Sequence, residues 1–211
     1  MGIDKRAVII GASLVRPEIE RRYLERRELV ICADGGLFNA EALGLSPHML
    51  IGDGDSGGFT PPVGCAHILL PGEKDDTDLK VCVDAALERG YTDILLLGCS
   101  GGRLDHYLAA LGMLEYLYVR SARGMLVGEG NEVVYRTGGG RLNIRRDANY
   151  KYLSIMPADE RLEGVTLEGL KYPLRDVVVY RHTPLCVSNE FADDEAVIEI
   201  KRGSCYIIRS N

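Results

Sequence analysis

Four short stretches of this chain combine carboxylates with glycine, a single cation, or both. They are Ala33-Asp34-Gly35-Gly36, Gly52-Asp53-Gly54-Asp55-Ser56, Lys74-Asp75-Asp76-Thr77-Asp78 and Gly98-Cys99-Ser100-Gly101-Gly102-Arg103-Leu104-Asp105-His106. Glycines let backbone N–H groups approach phosphate oxygens, and a helix N-terminus favours an anion. Arg103 offers a planar fork that matches phosphate geometry, and Lys74 a compact positive charge. The carboxylates of Asp53, Asp55, Asp78 and Asp105 would repel such a ligand on their own. A divalent cation removes the conflict, because Mg²⁺ takes oxygen ligands and is commonly held by one or two carboxylates together with substrate phosphates. The residue types therefore point to metal-assisted phosphoryl-type transfer on a nucleotide.

Each stretch alone also has a plainer reading. Asp34-Gly35 suits a turn that caps a helix, and the second stretch suits a surface loop. Thr77 or Asp76 suits a helix cap, a role compatible with function. Gly101-Gly102 suits a tight turn with Arg103 in solvent, and His106 a structural histidine of an apolar helix. What distinguishes the set is that all four fall where an apolar run gives way to a helical pattern or a loop, and in open α/β sheets ligands bind outside the carboxyl ends of the strands.

The elements that must position them follow from the apolar spacing. Ala7–Ile10, Leu29–Ala33, His48–Ile51, His67–Leu70 and Ile94–Leu97 read as strands, the last fully apolar as buried parallel strands are. A charged stretch from Glu18 to Glu28 begins behind Pro17 and carries Ile19, Tyr23 and Leu24 on its apolar side, which predicts a helix. Leu37–Leu43 is a short helix stopped by Gly44. Leu79, Cys82, Val83, Ala86 and Leu87 recur at helical spacing and Gly90 ends them. Leu104–Tyr118 is a long, mostly apolar helix. This alternation predicts an α/β domain with a mainly parallel open sheet and helices on both faces.

The pattern changes near Gly138-Gly139-Gly140. Beyond it, short β-forming runs (Tyr150–Ile155, Gly164–Leu167, Val177–Tyr180, Ala196–Ile200, Cys205–Ile208) alternate with turn residues, predicting a small all-β sandwich. The expected division is 1–137 for the α/β part and 138–211 for the β part. About 70 residues rarely supply enough core alone, so the β part is expected to dock on the first domain or on a second subunit.

Composition bounds the function. With 211 residues, 46% hydrophobic and 27% charged, the chain reads as a globular protein of one or two domains. A net charge of −6 argues against a nucleic-acid binder with an overall basic face. The charge is local: residues after Gly140 carry 11 basic and 11 acidic side chains, the rest 14 basic against 20 acidic, and seven of those acids are the motif aspartates. No segment approaches the roughly 20 apolar residues of a membrane span, and the first residues lack a secretory apolar stretch. The six cysteines are widely spaced without a C-x-x-C pair, which predicts reduced thiols and a cytoplasmic location.

The second, third and fourth aspartate stretches, in this order, resemble the thiamin pyrophosphokinase (thiamine diphosphokinase) family. Gly169-Leu170-Lys171-Tyr172-Pro173-Leu174 and Val187-Ser188-Asn189-Glu190-Phe191 are similar to its thiamin-binding β-domain, so the resemblance runs from about Ala7 to Ile208. It implies that the hydroxyethyl oxygen of thiamin attacks the β-phosphorus of ATP, giving thiamin diphosphate and AMP. It implies Mg²⁺ on Asp53, Asp55 and Asp78. Asp105 becomes a further metal contact or the acceptor of the hydroxyl proton, and Arg103 and Lys74 bind polyphosphate. Asp34, Gly35, Ser56, Thr77 and Gly102 line the nucleotide site. Tyr172, Ser188 and Asn189 belong to the thiamin site, Ser188 towards the aminopyrimidine and Asn189 as the shaper of the turn. The family works as a homodimer with thiamin at the subunit interface. Eukaryotic relatives carry tryptophan where this chain has Tyr172, and this chain has no tryptophan. From the residues alone, diphosphoryl transfer to another alcohol, metal-dependent nucleotide hydrolysis, and a thiamin or nucleotide sensor without turnover stay open.

Overall fold

A computed structural model describes residues 5–25, 28–53, 61–71 and 76–211. The chain divides into two compact units, 1–129 and 130–211.

The first unit is built on six parallel strands: β1 (Arg6–Ile10), β2 (Leu29–Ala33), β3 (Met49–Gly52), β4 (Ala66–Leu69), β5 (Asp93–Leu97) and β6 (Arg123–Gly128), in the order β6-β5-β1-β2-β3-β4. Its helices are α1 (Pro17–Glu20), α2 (Gly36–Leu43), α3 (Asp78–Glu88) and α4 (Leu104–Val119). Strand alternation assigns the faces. Val8, Ile10, Val30, Cys32, Leu50, Leu95, Leu97 and Val127 pack with Ala40 and Leu43 of α2. Gly124, on the opposite side of β6 from Val127, lies under Leu114 and Leu117 of α4. Helices thus cover both faces, which is why Ile9, Ile10, Ile94, Leu95, Leu96 and Leu97 are all fully buried. Each such side chain contributes about 1.5–3 kcal/mol of burial.

One element departs from its expected length. The helix predicted over Glu18–Glu28 stops early: α1 has four residues, a 3₁₀ turn follows at Arg21–Tyr23, and Leu24 is extended (ψ 140°). Arg21 is not on a solvated helix face. Its guanidinium donates to the carbonyls of Ala42 and Leu43 at 2.7 and 3.2 Å, tying the segment to the end of α2.

The second unit is a two-sheet antiparallel sandwich. One sheet holds β12 (Asn189–Glu190), β9 (Tyr152–Pro157), β14 (Ser204–Ser210) and β7 (Asn131–Thr137). The other holds β11 (Leu174–Tyr180), β10 (Arg161–Glu168), β13 (Glu195–Ile200) and β8 (Gly140–Arg145). Its core is formed by the alternate residues Leu153 and Ile155, Leu162, Val165 and Leu167, Ala196, Ile198 and Ile200, and Cys205 and Ile207. Gly138 and Gly139 lie where the chain passes from β7 in one sheet to β8 in the other.

Among the described residues no helix is long and apolar enough to cross a membrane. All six cysteines are free thiols, and burial pushes Cys32 and Cys205 up to about 12, so neither is a ready nucleophile.

Candidate active site

The parallel order β5-β1-β2-β3-β4 sets the carboxyl ends of five strands in a row, and in the chain the motif stretches come after β2, β3, β4 and β5. At the end of β1, α2 supplies a tie the motifs did not reveal: Asn39 Nδ2 donates to the carbonyls of Gly11 and Ser13 at 2.7 and 2.6 Å. Ser13 N–H donates in turn to Gly98 at the end of β5 (2.8 Å), so one amide side chain fixes two neighbouring strand ends.

Asp34 follows β2 with φ +43°, a left-handed conformation uncommon outside glycine. Its N–H donates to the Ile51 carbonyl at 3.0 Å. Its carboxylate lies so close to Gly52 that a Cβ there would overlap it. The backbone beside Asp53 therefore has Asp34 against it, and Asp53 itself is half-buried. Gly35 stands as N-cap residue of α2.

Thr77 caps α3: its Oγ1 accepts from Lys80 N–H at 3.3 Å, and Asp78 is the first helical residue. An acidic residue in the first turn is stabilised by the helix dipole. Lys80 bridges Asp76 and Asp84 at 3.0 and 2.9 Å. Tyr116 of α4 donates to Asp84 at 2.6 Å, linking α3 to α4. Asp55, Ser56 and Lys74 lie outside the described residues. Among the described residues no three His, Cys, Asp or Glu side chains converge as a metal site.

The loop from β5 to α4 turns through Gly101 and Gly102, at φ +82° and +66°, conformations that favour glycine. It delivers Arg103 to the N-cap of α4 and Asp105 to its first turn. The two side chains form a two-pronged ion pair, Nε to Oδ1 at 3.1 Å and Nη2 to Oδ2 at 2.6 Å, in full view of solvent. The Arg103 hydrogen bond holds the Asp105 carboxyl below its ordinary range, with help from the His106 N–H. His106 is exposed rather than a buried structural histidine. Glu129, in the Gly128-Glu129-Gly130 turn after β6, sits against Gly101, where a side chain would meet its carboxylate at 2.5 Å. That turn was not read from the sequence, although an acid between two glycines is a signal for one.

In the second unit, Asn189 is buried and grips Tyr172. Its Oδ1 accepts from the Tyr172 and Glu190 N–H groups at 3.0 Å each, and its Nδ2 donates to the Tyr172 carbonyl at 2.9 Å. Tyr172 is left 58% exposed, with the Lys171 ammonium 5.6 Å from its ring centroid. Ser188 has φ +57° and its N–H donates to Ser154 Oγ at 2.9 Å. Ser154 is a further residue the sequence did not point to. Leu185 and Val187, beside Ser188 in the chain, are exposed apolar side chains.

A parallel α/β unit with glycine–aspartate strand ends, followed by a β sandwich that displays an aromatic ring, has known counterparts. The model for "Thiamin pyrophosphokinase, catalytic domain" matches residues 21–126, and that for "Thiamin pyrophosphokinase, vitamin B1 binding domain" matches 141–205. The thiamine pyrophosphokinase of Bacillus subtilis is 29% identical over 194 residues, covering 89% of this chain and 90% of that protein. The crystal structure of thiamine pyrophosphokinase from Bacillus subtilis superposes with a TM-score of 0.89 at 27% identity, over 98% of this chain and 99% of that one. That of Geobacillus thermodenitrificans gives 0.83 at 28% identity, over 98% and 97%. The chain belongs to the thiamin pyrophosphokinase family. It is an ATP-dependent diphosphotransferase, an enzyme that converts thiamin into thiamin diphosphate.

Proposed function

We propose that the strand ends of the first unit bind ATP and that the Tyr172–Ser188 surface of the second unit binds thiamin. Arg103 carries the first assignment: glycines at positive φ deliver it, with Asp105, to the start of α4. Arg103 and Lys74 take the polyphosphate, with Asp34, Gly35, Ser56, Thr77 and Gly102 lining the nucleotide. The thiamin hydroxyl loses its proton to water as its oxygen forms a bond to the β-phosphorus, the bond from that phosphorus to the oxygen bridging to the α-phosphorus breaks, and AMP leaves with the released electron pair. Positive charge from Arg103 stabilises the negative charge that develops on the leaving oxygen.

Two observations favour a Mg²⁺ site. Half-buried Asp53 follows a backbone already faced by the Asp34 carboxylate, and Asp78 opens α3. Asp53, Asp55 and Asp78 would hold the ion, which when bound neutralises phosphate charge. Of the two roles open to Asp105, the ion pair with Arg103 disfavours proton acceptance, because it lowers the proton affinity of the carboxylate. Asp105 serves instead to orient Arg103 or to contact the metal.

The enzyme works as a homodimer with thiamin at the subunit interface. Leu104 and Leu108 project into solvent one turn apart on α4, 68% and 57% exposed, beside the exposed Arg103–Asp105 pair. The second unit exposes Tyr172, Leu185 and Val187. A second copy would cover both patches. The free thiols favour a cytoplasmic location. The assignment is tested by Mg²⁺ titration of Asp53→Asn and Asp78→Asn. Both should raise the Mg²⁺ requirement of the reaction, and wild-type Mg²⁺ dependence in both would refute the ligand set.

A further inference from the structure

Glu20 is completely buried on α1 although it is charged in the unfolded chain. One carboxylate oxygen, Oε2, accepts from the Arg16 N–H at 2.8 Å, and the other, Oε1, has no hydrogen-bond partner among the described residues. The same is true of the Ser100 hydroxyl, which is 1% exposed in the loop that leads to Gly101-Gly102-Arg103. The two unpaired oxygens face one spot. A Cβ on buried Gly128, at the end of β6, would overlap Ser100 Oγ and lie 3.7 Å from Glu20 Oε1. Three separate segments thus bring a carboxyl, a hydroxyl and a missing side chain together beneath the loop. Unpaired buried polar atoms are costly, and two of them sharing a gap kept open by glycine are complementary.

We propose that Glu20 is a positioning residue, whose carboxyl faces the Ser100 hydroxyl across the gap left by Gly128 and sets the place of the Gly101–Arg103 loop. The inference rests on the reading of that loop as the diphosphate-binding segment. Burial pushes the Glu20 carboxyl up from 4.5 to about 7. The Arg16 N–H works against this, Glu18 repulsion adds to it, and the Arg16 charge opposes it. Arg16 supplies the opposing positive charge, just ahead of α1. Ser100 is neutral, β6 presents a glycine, and the one ionisable residue of α2, which packs on α1, is the exposed Glu41. Arg21 and Arg22 follow in the 3₁₀ turn, Arg21 committed to the end of α2. Ionised, Glu20 would set a negative charge under an anion-binding loop. The neutral form is present below about pH 7 and is lost above it, so ATP binding should weaken as pH rises through 7.

The test measures KM for MgATP and for thiamin from pH 6 to 9, with hydrogen exchange of the loop amides, for Glu20→Gln, Glu20→Ala, Ser100→Ala and the double alanine variant. Glu20→Gln should match the wild type at pH 6 and lose its rise in ATP KM above pH 7. Each alanine variant should raise ATP KM about tenfold, leave thiamin KM within about twofold, and speed exchange at residues 100–103. The double variant should be no worse than either single one. Wild-type ATP KM and exchange in folded alanine variants would overturn the proposal, as would additive effects or an unchanged pH profile in Glu20→Gln. Should Glu20→Ala not fold, Ser100→Ala and Glu20→Gln decide alone. If Arg103→Ala leaves ATP KM unchanged while the Glu20 variants still loosen the loop, the assignment of the loop fails and the anchor stands.

Discussion

Asn189 holds Tyr172 by both of its backbone groups, accepting from the N–H at 3.0 Å and donating to the carbonyl at 2.9 Å. A buried amide thus fixes the bend that displays an exposed ring, so ring and anchor separate experimentally. Tyr172→Ala should raise thiamin KM with little change in kcat, the mark of lost ground-state binding. Tyr172→Trp should lower it, since indole is the better partner for a cationic ring. Asn189→Ala should raise the same KM and also cost about 2 kcal/mol of stability, read by urea denaturation. An unchanged KM in all three would make this surface structural.

Gly52→Ala places a methyl group where the Asp34 carboxylate lies. Asp34 must move, and the backbone entering Asp53 with it. The expected result is a loss of activity on the order of tenfold or more, at nearly unchanged stability, because the overlap is with a side-chain end at a strand terminus. Steady-state kinetics on the folded variant checks this.

Thr77 and Asp78 adjoin but should fail differently. Thr77→Ala removes the cap on Lys80 N–H and should cost about 1 kcal/mol of stability. Asp78→Asn should keep the fold and lose most activity, by removing a charge proposed to hold Mg²⁺. Thermal denaturation and turnover, measured together, tell them apart.

Asp105 should titrate below its ordinary value of 3.8 because of its pair with Arg103. The pair's contribution is present above the unfolded value and is lost as pH falls through the lowered one. Carbon-13 NMR of Asp105 should show the shift, and Arg103→Ala should return it towards 3.8. An unshifted carboxyl in the wild type would remove the argument against Asp105 as general base.

The strands and the glycine–aspartate turns after β2 and β5 were legible because each carries a local signal: an apolar run or a glycine beside an acid. What stayed hidden depends on distant partners. Pro17 announced a helix, but its length was decided by Arg21 reaching the end of α2. Glu20 stands in a charged stretch with nothing local to mark it, and is fully buried. Asn39 gives no sign in sequence that it joins two strand ends, and Asn189, expected only to shape a turn, holds the backbone of a residue 17 positions away. The β7 and β8 strands, rich in charged and polar residues, alternate too weakly to stand out.

A homodimer with thiamin at the interface allows rescue between defective subunits. Mixing Arg103→Ala with Tyr172→Ala protein, after dissociation and reassociation, should restore part of the activity missing at subsaturating thiamin, through hybrid dimers with one intact site. No recovery, with hybrids shown to form, would mean that each site is built within one chain.

The most direct measurement follows the fate of ATP with and without thiamin at saturating Mg²⁺. The account predicts AMP and thiamin diphosphate in equal amounts, formed only when thiamin is present. ADP as the product, or ATP breakdown that does not require thiamin, would contradict it.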